Sequence, residues 1–191
     1  LFPHEKDEIL AWFLSLPLYI DLGDLRAVHA TWDDQSIDAL GQSRLLSKSV
    51  LVEAFTKGHP IGEAVARLLK GRELPLPKGN SYVDKDGFER REIRTKWWLE
   101  LTDHLTYREA AFPEASAPID VRLSLMSPLP GYPSDGPPVF CGHYWQAPDD
   151  ALRVLSPNVA CLDYSVGRGG KLVAYRWSGE RTLRSENFVA V

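Results

Sequence analysis

The stretch Pro138-Val139-Phe140-Cys141-Gly142-His143 decides the fold class, because it reads as a short buried β-strand that ends on a glycine and a histidine. Val159 to Ser165, Leu172 to Trp177 and Phe188 to Val191 repeat the pattern, each rich in Val, Phe, Tyr or Trp and separated by Gly, Pro and Asn. The C-terminal third is therefore expected to supply the last strands of a sheet. Further upstream, Leu18 to Ile20 and Leu25 to Ala30 flank Asp21-Leu22-Gly23-Asp24, two apolar runs about a turn, which predicts a hairpin with His29 at the end of its second strand.

Between these sheet elements the sequence is largely helical in pattern. Ile9, Leu10, Trp12, Phe13 and Leu16 recur at helical spacing over Glu5 to Leu16, with Pro17 as the stop. Asp34 to Leu46, Val50 to Phe55 and Ile61 to Leu69 read as three more helices, the last closed by Gly71. Arg72 to Asn80 reads as a loop. Tyr82 to Phe88, with an Asp-Gly turn, reads as a small hairpin in which Asp84 and Asp86 are turn residues, since the later ligands of a calcium loop are missing. Glu89 to Leu101 reads as a charged helix carrying Trp97 and Trp98. Ala115 to Pro138 holds Pro118, Pro128, Pro130, Pro133, Pro137 and Pro138 and reads as an extended connector.

Composition narrows the function classes. With 191 residues, 44% of them hydrophobic, the chain can bury a core, and its net charge of -4 gives no large positive field for nucleic acid as a dedicated partner. No apolar run approaches the ~20 residues of a membrane-spanning helix. Cys141 and Cys161 lie in apolar runs, not at metal-ligand spacing, and are expected as buried reduced thiols in neighbouring strands of a cytoplasmic protein. The chain begins at Leu1 and its opening lacks the pattern of a signal peptide, so an upstream segment is expected.

Five histidines could carry chemistry. His4, His59 and His104 fall in polar or loop surroundings and are expected to be solvated. His29 and His143 instead terminate apolar strands, where ligands and metals collect in α/β sheets. A single histidine there more often serves as a hydrogen-bonded core residue. The pair suits a borderline divalent metal if carboxylates join it.

Val28-His29-Ala30 after a short hairpin, and Gly142-His143 after a much later strand, resemble the last two metal-binding motifs of calcineurin-like metallophosphoesterases. Asn158-Val159-Ala160-Cys161-Leu162-Asp163-Tyr164-Ser165, followed by Gly169-Gly170-Lys171-Leu172-Val173-Ala174-Tyr175-Arg176, is similar to the closing strands of that family. The family includes Ser/Thr protein phosphatases and symmetrical diadenosine tetraphosphate hydrolases. The resemblance implies an α+β fold, a β-sandwich flanked by helices, of which residues 1–191 form the C-terminal part with the N-terminal half missing and a lid-like insert at about 72–137. It also implies a hydrolase acting on a phosphorylated substrate, either a phosphomonoester or a dinucleoside polyphosphate, through two divalent ions (manganese, iron or zinc) that activate a hydroxide. His29 and His143 would bind the second ion.

The family's Asp-x-His, Gly-Asp-x-x-Asp-Arg-Gly and Gly-Asn-His-Glu motifs do not occur in this sequence, so the chain alone is expected to be inactive. Gly23-Asp24-Leu25-Arg26 lacks the second aspartate and trailing glycine of the middle motif and is read as a turn. Arg90, Arg91, Arg94 and Lys96 beside the tryptophans form either a lid offering cations to a phosphate, with Arg94 the preferred contact, or a solvated helix face over packed indoles. Arg168, in Gly167-Arg168-Gly169-Gly170, is a second candidate contact, although those glycines also suit a plain turn. A non-catalytic binding or assembly domain on the same scaffold is the alternative function.

Overall fold

A computed structural model describes residues 5–41, 45, 47–56, 58–84, 87–114 and 120–191. The predicted N-terminal hairpin is present as Tyr19–Asp21 (β1) and Arg26–Val28 (β2), paired antiparallel. Its turn is held by Asp21, whose carboxylate accepts from Gly23 N at 2.9 Å and from Arg26 Nε at 3.2 Å, and Gly23 takes the positive φ of 85° that suits glycine. Gly23-Asp24 is thus a turn, as its missing motif residues indicate.

Val139–Cys141 (β7) lies parallel to β2, and Val159–Cys161 (β8) lies parallel to β7, giving a four-stranded sheet in the order β1-β2-β7-β8. Successive side chains alternate across this sheet. Val139, Cys141, Val159 and Cys161 face a core shared with Leu40, Val50, Ala64, Val65 and Leu68, whereas Phe140 and Ala160 face Tyr164, Val173 and Phe188. The first group belongs to a helical layer made by Asp34–Leu40 (α2), Lys48–Ala54 (α3) and Pro60–Lys70 (α4). The second belongs to a three-stranded antiparallel sheet of Asp163–Tyr164 (β9), Lys171–Tyr175 (β10) and Phe188–Ala190 (β11), ordered β11-β10-β9. The result is a mixed α+β arrangement with helices on one face of the main sheet and a smaller sheet on the other.

The helix ends follow their residues. Asp33 and Ser47 cap α2 and α3 through bonds from Ser36 N and Val50 N, and α2 stops at Leu40 before Gly41, short of the predicted Leu46. His59 is half-buried at the start of α4, where its Nδ1 accepts from Ile61 N at 3.3 Å, so it is a helix cap and not the freely solvated histidine expected from sequence. The predicted first helix forms over Lys6–Ser15 (α1), yet none of its residues is buried and Trp12 is 57% exposed.

Two segments depart from the sequence-based expectation. The predicted loop at 72–80 contains Glu73–Pro75 (β3), and the predicted helix at 89–101 is replaced by Glu89–Arg90 (β5) and Glu92–Arg94 (β6). β3 pairs with β6, while β5 pairs with Tyr82–Val83 (β4) across the predicted Asp-Gly hairpin. A ladder offered by a distant segment outweighs the modest helix propensity of a charged run, and it seats Ile93, fully buried, opposite Leu74. Trp97 and Trp98 follow in a turn closed by Leu99 N donating to Lys96 O at 3.0 Å and are buried in the main core, so neither belongs to a helix face.

Residues 72–137 also bury a separate small cluster, including Leu76, Ile93, Leu101 and Leu123, around the short helix Tyr107–Ala110 (α5). The described part of the proline-rich connector, 120–138, has no named helix or strand and touches its neighbours through single bridges such as Leu101 to Leu129. Cys141 and Cys161 face each other in register, buried and unoxidised, and the hydrogen bond to Cys161 together with burial pushes the Cys141 thiol well up. Among the described residues no helix is long and apolar enough to cross a membrane.

The closing sheet carries one acid-sensitive tie. The Glu180 carboxylate accepts from Ser178 N at 2.8 Å, Asn187 Nδ2 at 2.8 Å and Tyr175 Oη at 2.9 Å, and these bonds, the Ser178 amide foremost, hold its pKa down to about 2. Because the folded-state value is depressed, its contribution is present above about pH 4.5 and is lost as pH falls toward 2. Glu180→Gln is therefore expected to flatten the loss of stability between those pH values, measured as the urea midpoint at each pH. An unchanged acid limb would show that the carboxylate tie contributes nothing.

Candidate functional site

Parallel pairing in register brings the two strand-end histidines together. Val28 lies opposite Cys141, so the chain leaves β2 and β7 at the same end of the sheet, at His29 and at Gly142-His143. Gly142 N donates to His29 O at 3.0 Å, which ties the two exits to each other. His143 adopts a φ of 57°, an uncommon left-handed conformation for a residue with a side chain, and its ring centroid sits 5.2 Å from that of His29 with the planes inclined at 39°. His143 is half-buried and His29 reaches solvent.

Arg94 completes the cluster from β6. Its Nη1 donates to His143 O at 3.2 Å, and its guanidinium lies 5.5 Å from the centre of the Tyr144 ring. That ring is wholly buried, with Tyr144 Oη donating to Thr95 O at 2.9 Å. Gly71, at the end of α4, gives room to both: a methyl group there would stand 2.6 Å from Tyr144 Oη and 3.2 Å from Arg94 Cδ.

The electrostatics keep both imidazoles neutral. Burial first, then the charge of Arg94 and the neighbouring His29, holds His143 down to about 4. His29 is lowered as well, by partial burial first and by Arg94, with Asp163 acting in the opposite direction. A neutral imidazole has a lone pair to give. His143 Nε2 is buried and has no hydrogen-bond partner among the described residues, and the same holds for Arg94 Nε. The site thus combines a buried nitrogen and a buried N–H that are both unsatisfied, an unusual pairing in a protein interior.

A borderline divalent ion accepts imidazole nitrogen, so His29 and His143 fit such an ion as part of a donor set. They are not a whole set. Among the described residues no group of three or more His, Cys, Asp or Glu could hold a metal ion, and Asp163 spends one carboxylate oxygen on Ser165 N at 3.0 Å.

The other candidates separate clearly. Of the four basic residues before the tryptophans, Arg90 pairs with Asp84 at 2.7 Å, Arg91 with Glu89 at 3.5 Å and Lys96 with Glu114 at 2.6 Å, which leaves Arg94 at the histidines. Arg168 lies exposed in the turn Val166–Arg168. His104 is exposed beside Asp103, and His4 lies outside the described residues. Asp84 accepts from Phe88 N within its hairpin, as a turn residue does, and Asp86 lies outside the described residues. Sequence reading missed Tyr144, Gly71 and Asp163 as neighbours of the pair. Tyr144 follows His143 directly, but nothing local announces that its ring supports an arginine from another segment.

Comparisons with protein-family models, with curated proteins and with solved structures return no match.

Proposed function

We propose that this chain is the C-terminal part of a calcineurin-like metal-dependent phosphoesterase, with His29 and His143 as ligands of one divalent ion and Arg94 as a contact for a phosphoryl oxygen. The observation that carries the reading is the approach of two neutral imidazoles to 5.2 Å at the joint end of two parallel strands. The layering of helices, main sheet and smaller sheet supports it, since a β-sandwich flanked by helices is what the motif resemblance implies. A bound manganese, iron or zinc ion supplies Lewis acidity and a hydroxide at neutral pH.

The chain's own residues have three tasks. His29 and His143 present unprotonated nitrogens near neutral pH, and Gly142 holds the two exits together. Arg94 offers a planar guanidinium, suited to phosphate oxygens, whose buried Nε–H has no acceptor among the described residues. Tyr144 and Thr95 fix the ring beneath that guanidinium. The substrate is a phosphomonoester or a dinucleoside polyphosphate, and the remaining ligands of a two-ion centre lie in motifs this sequence does not contain.

Metal titration of the purified chain tests the assignment. Zinc or manganese affinity is expected to fall about tenfold or more in His29→Ala and in His143→Ala, while His59→Ala and His104→Ala bind as the parent does. p-Nitrophenyl phosphate turnover with manganese should stay at the metal-only blank. Equal changes at all four histidines would overturn the ligand assignment and favour a non-catalytic binding domain on the same scaffold.

A further inference from the structure

A cavity opens beside Trp98 and Phe112, two rings that pack on Tyr144. Its volume is about 520 Å³, within the range of roughly 300–1,000 Å³ that small-molecule pockets occupy. Trp98, Phe112, Trp145 and Leu155 supply most of its apolar wall. These rings are braced from behind: Tyr144 meets Trp98 at 5.5 Å and Phe112 at 5.3 Å, and Trp98 meets Phe112 at 5.7 Å. The wall is therefore preformed, which lowers the ordering cost of binding.

The rim carries Lys96, Glu114, Asp150 and Arg153, two charges of each sign. Lys96 and Glu114 neutralise each other at 2.6 Å, and the Asp150 carboxylate caps Ala147 N at 2.8 Å. No net field favours a charged guest. The lining residues come from loops on both sides and none belongs to a named strand, so an extended peptide finds no ladder to join. An aromatic wall with a balanced rim suits a flat, uncharged ring.

We infer that this cavity binds a planar, uncharged aromatic ring of a small molecule. The ring site stands on the lining of the cavity alone and is independent of the proposed phosphoesterase function.

The test uses the full chain without added metal and follows adenosine and phenol, as two sources of a planar ring, by NMR titration. Saturable binding of at least one ring is expected, weakened about tenfold in Trp145→Ala, in line with the worth of one aromatic stacking contact. Ala147→Phe, which fills the cavity and removes no packed side chain, should have the same effect, with thermal melting as the check that both variants fold. Binding should be unchanged in His143→Ala, and that arm separates the ring site from the metal assignment: loss of metal binding with ring binding intact fits both readings. Absence of saturable binding by either ring, equal binding in Ala147→Phe, or displacement of the ring by an unstructured peptide would overturn the inference.

Discussion

Gly71→Ala is expected to destabilise the protein by about 2–6 kcal/mol and to disturb the histidine site with it. Gly71 closes α4 with φ 104° and ψ 172°, a region that is essentially reserved for glycine, and holding alanine there costs roughly 1–3 kcal/mol. The added methyl would also stand 2.6 Å from Tyr144 Oη, well inside contact distance. Tyr144 cannot yield cheaply. It is completely buried, bonded to Thr95 O and packed against Trp98 and Phe112, and a forced shift in such a core costs a further ~1–3 kcal/mol. Urea unfolding of both proteins measures the effect, and a midpoint equal to the parent's would show that the helix end relaxes without strain. The same variant should move the NMR signals of both His29 and His143, because Arg94, which holds the carbonyl of His143, is the next group the methyl meets.

Arg72→Ala is expected to be nearly as damaging, at about 3 kcal/mol. Arg72 is 8% exposed and, among the described residues, forms no ion pair with a carboxylate. Its guanidinium instead joins three parts of the chain: Nε donates to Thr95 Oγ1 at 3.1 Å, Nη1 to Pro130 O at 2.8 Å and Nη2 to Leu99 O at 3.4 Å. Burial pushes its pKa down, so the cation is held by carbonyl dipoles. Truncation takes a donor from Thr95 Oγ1, in a residue that is fully buried, and the penalty for an unsatisfied buried group exceeds the net worth of the bond that was lost. Arg72→Lys should recover only part of the stability, since one ammonium cannot reach all three acceptors in the fork geometry of a guanidinium. Hydrogen exchange offers a local readout. Leu101 N and Leu129 N, which bond each other's carbonyls beside Leu99 and Pro130, should lose protection in Arg72→Ala, and full protection there would mean that the connector is held by other contacts.

The strands around the site were legible because their residues leave little choice. Val139 to Cys141 and Val159 to Cys161 are apolar runs bounded by proline, glycine and asparagine, and each formed where the pattern placed it. His29 and His143 were legible for the same reason, as polar residues at the ends of such runs. The helix read over 89–101 failed because a charged segment with few apolar residues has no strong period of its own. Its partner strand, Glu73–Pro75, lies in a stretch that prolines had marked as a loop, and a β-ladder is invisible to any window that holds only one of its strands.

By itself the sequence determined the hairpin, the capped helices, the closing strands and the two histidines that end strands, since each depends on neighbours in the chain: turn glycines, capping side chains and short apolar periods. Only the tertiary structure decided that β2 and β7 lie side by side in parallel, that Arg94 and no other basic residue of its run reaches His143, and that Tyr144 packs against Arg94 and against two rings of an aromatic cavity. These contacts join residues roughly 50 to 110 positions apart. They arise from burying both faces of one sheet, a condition on the whole chain that no local pattern encodes.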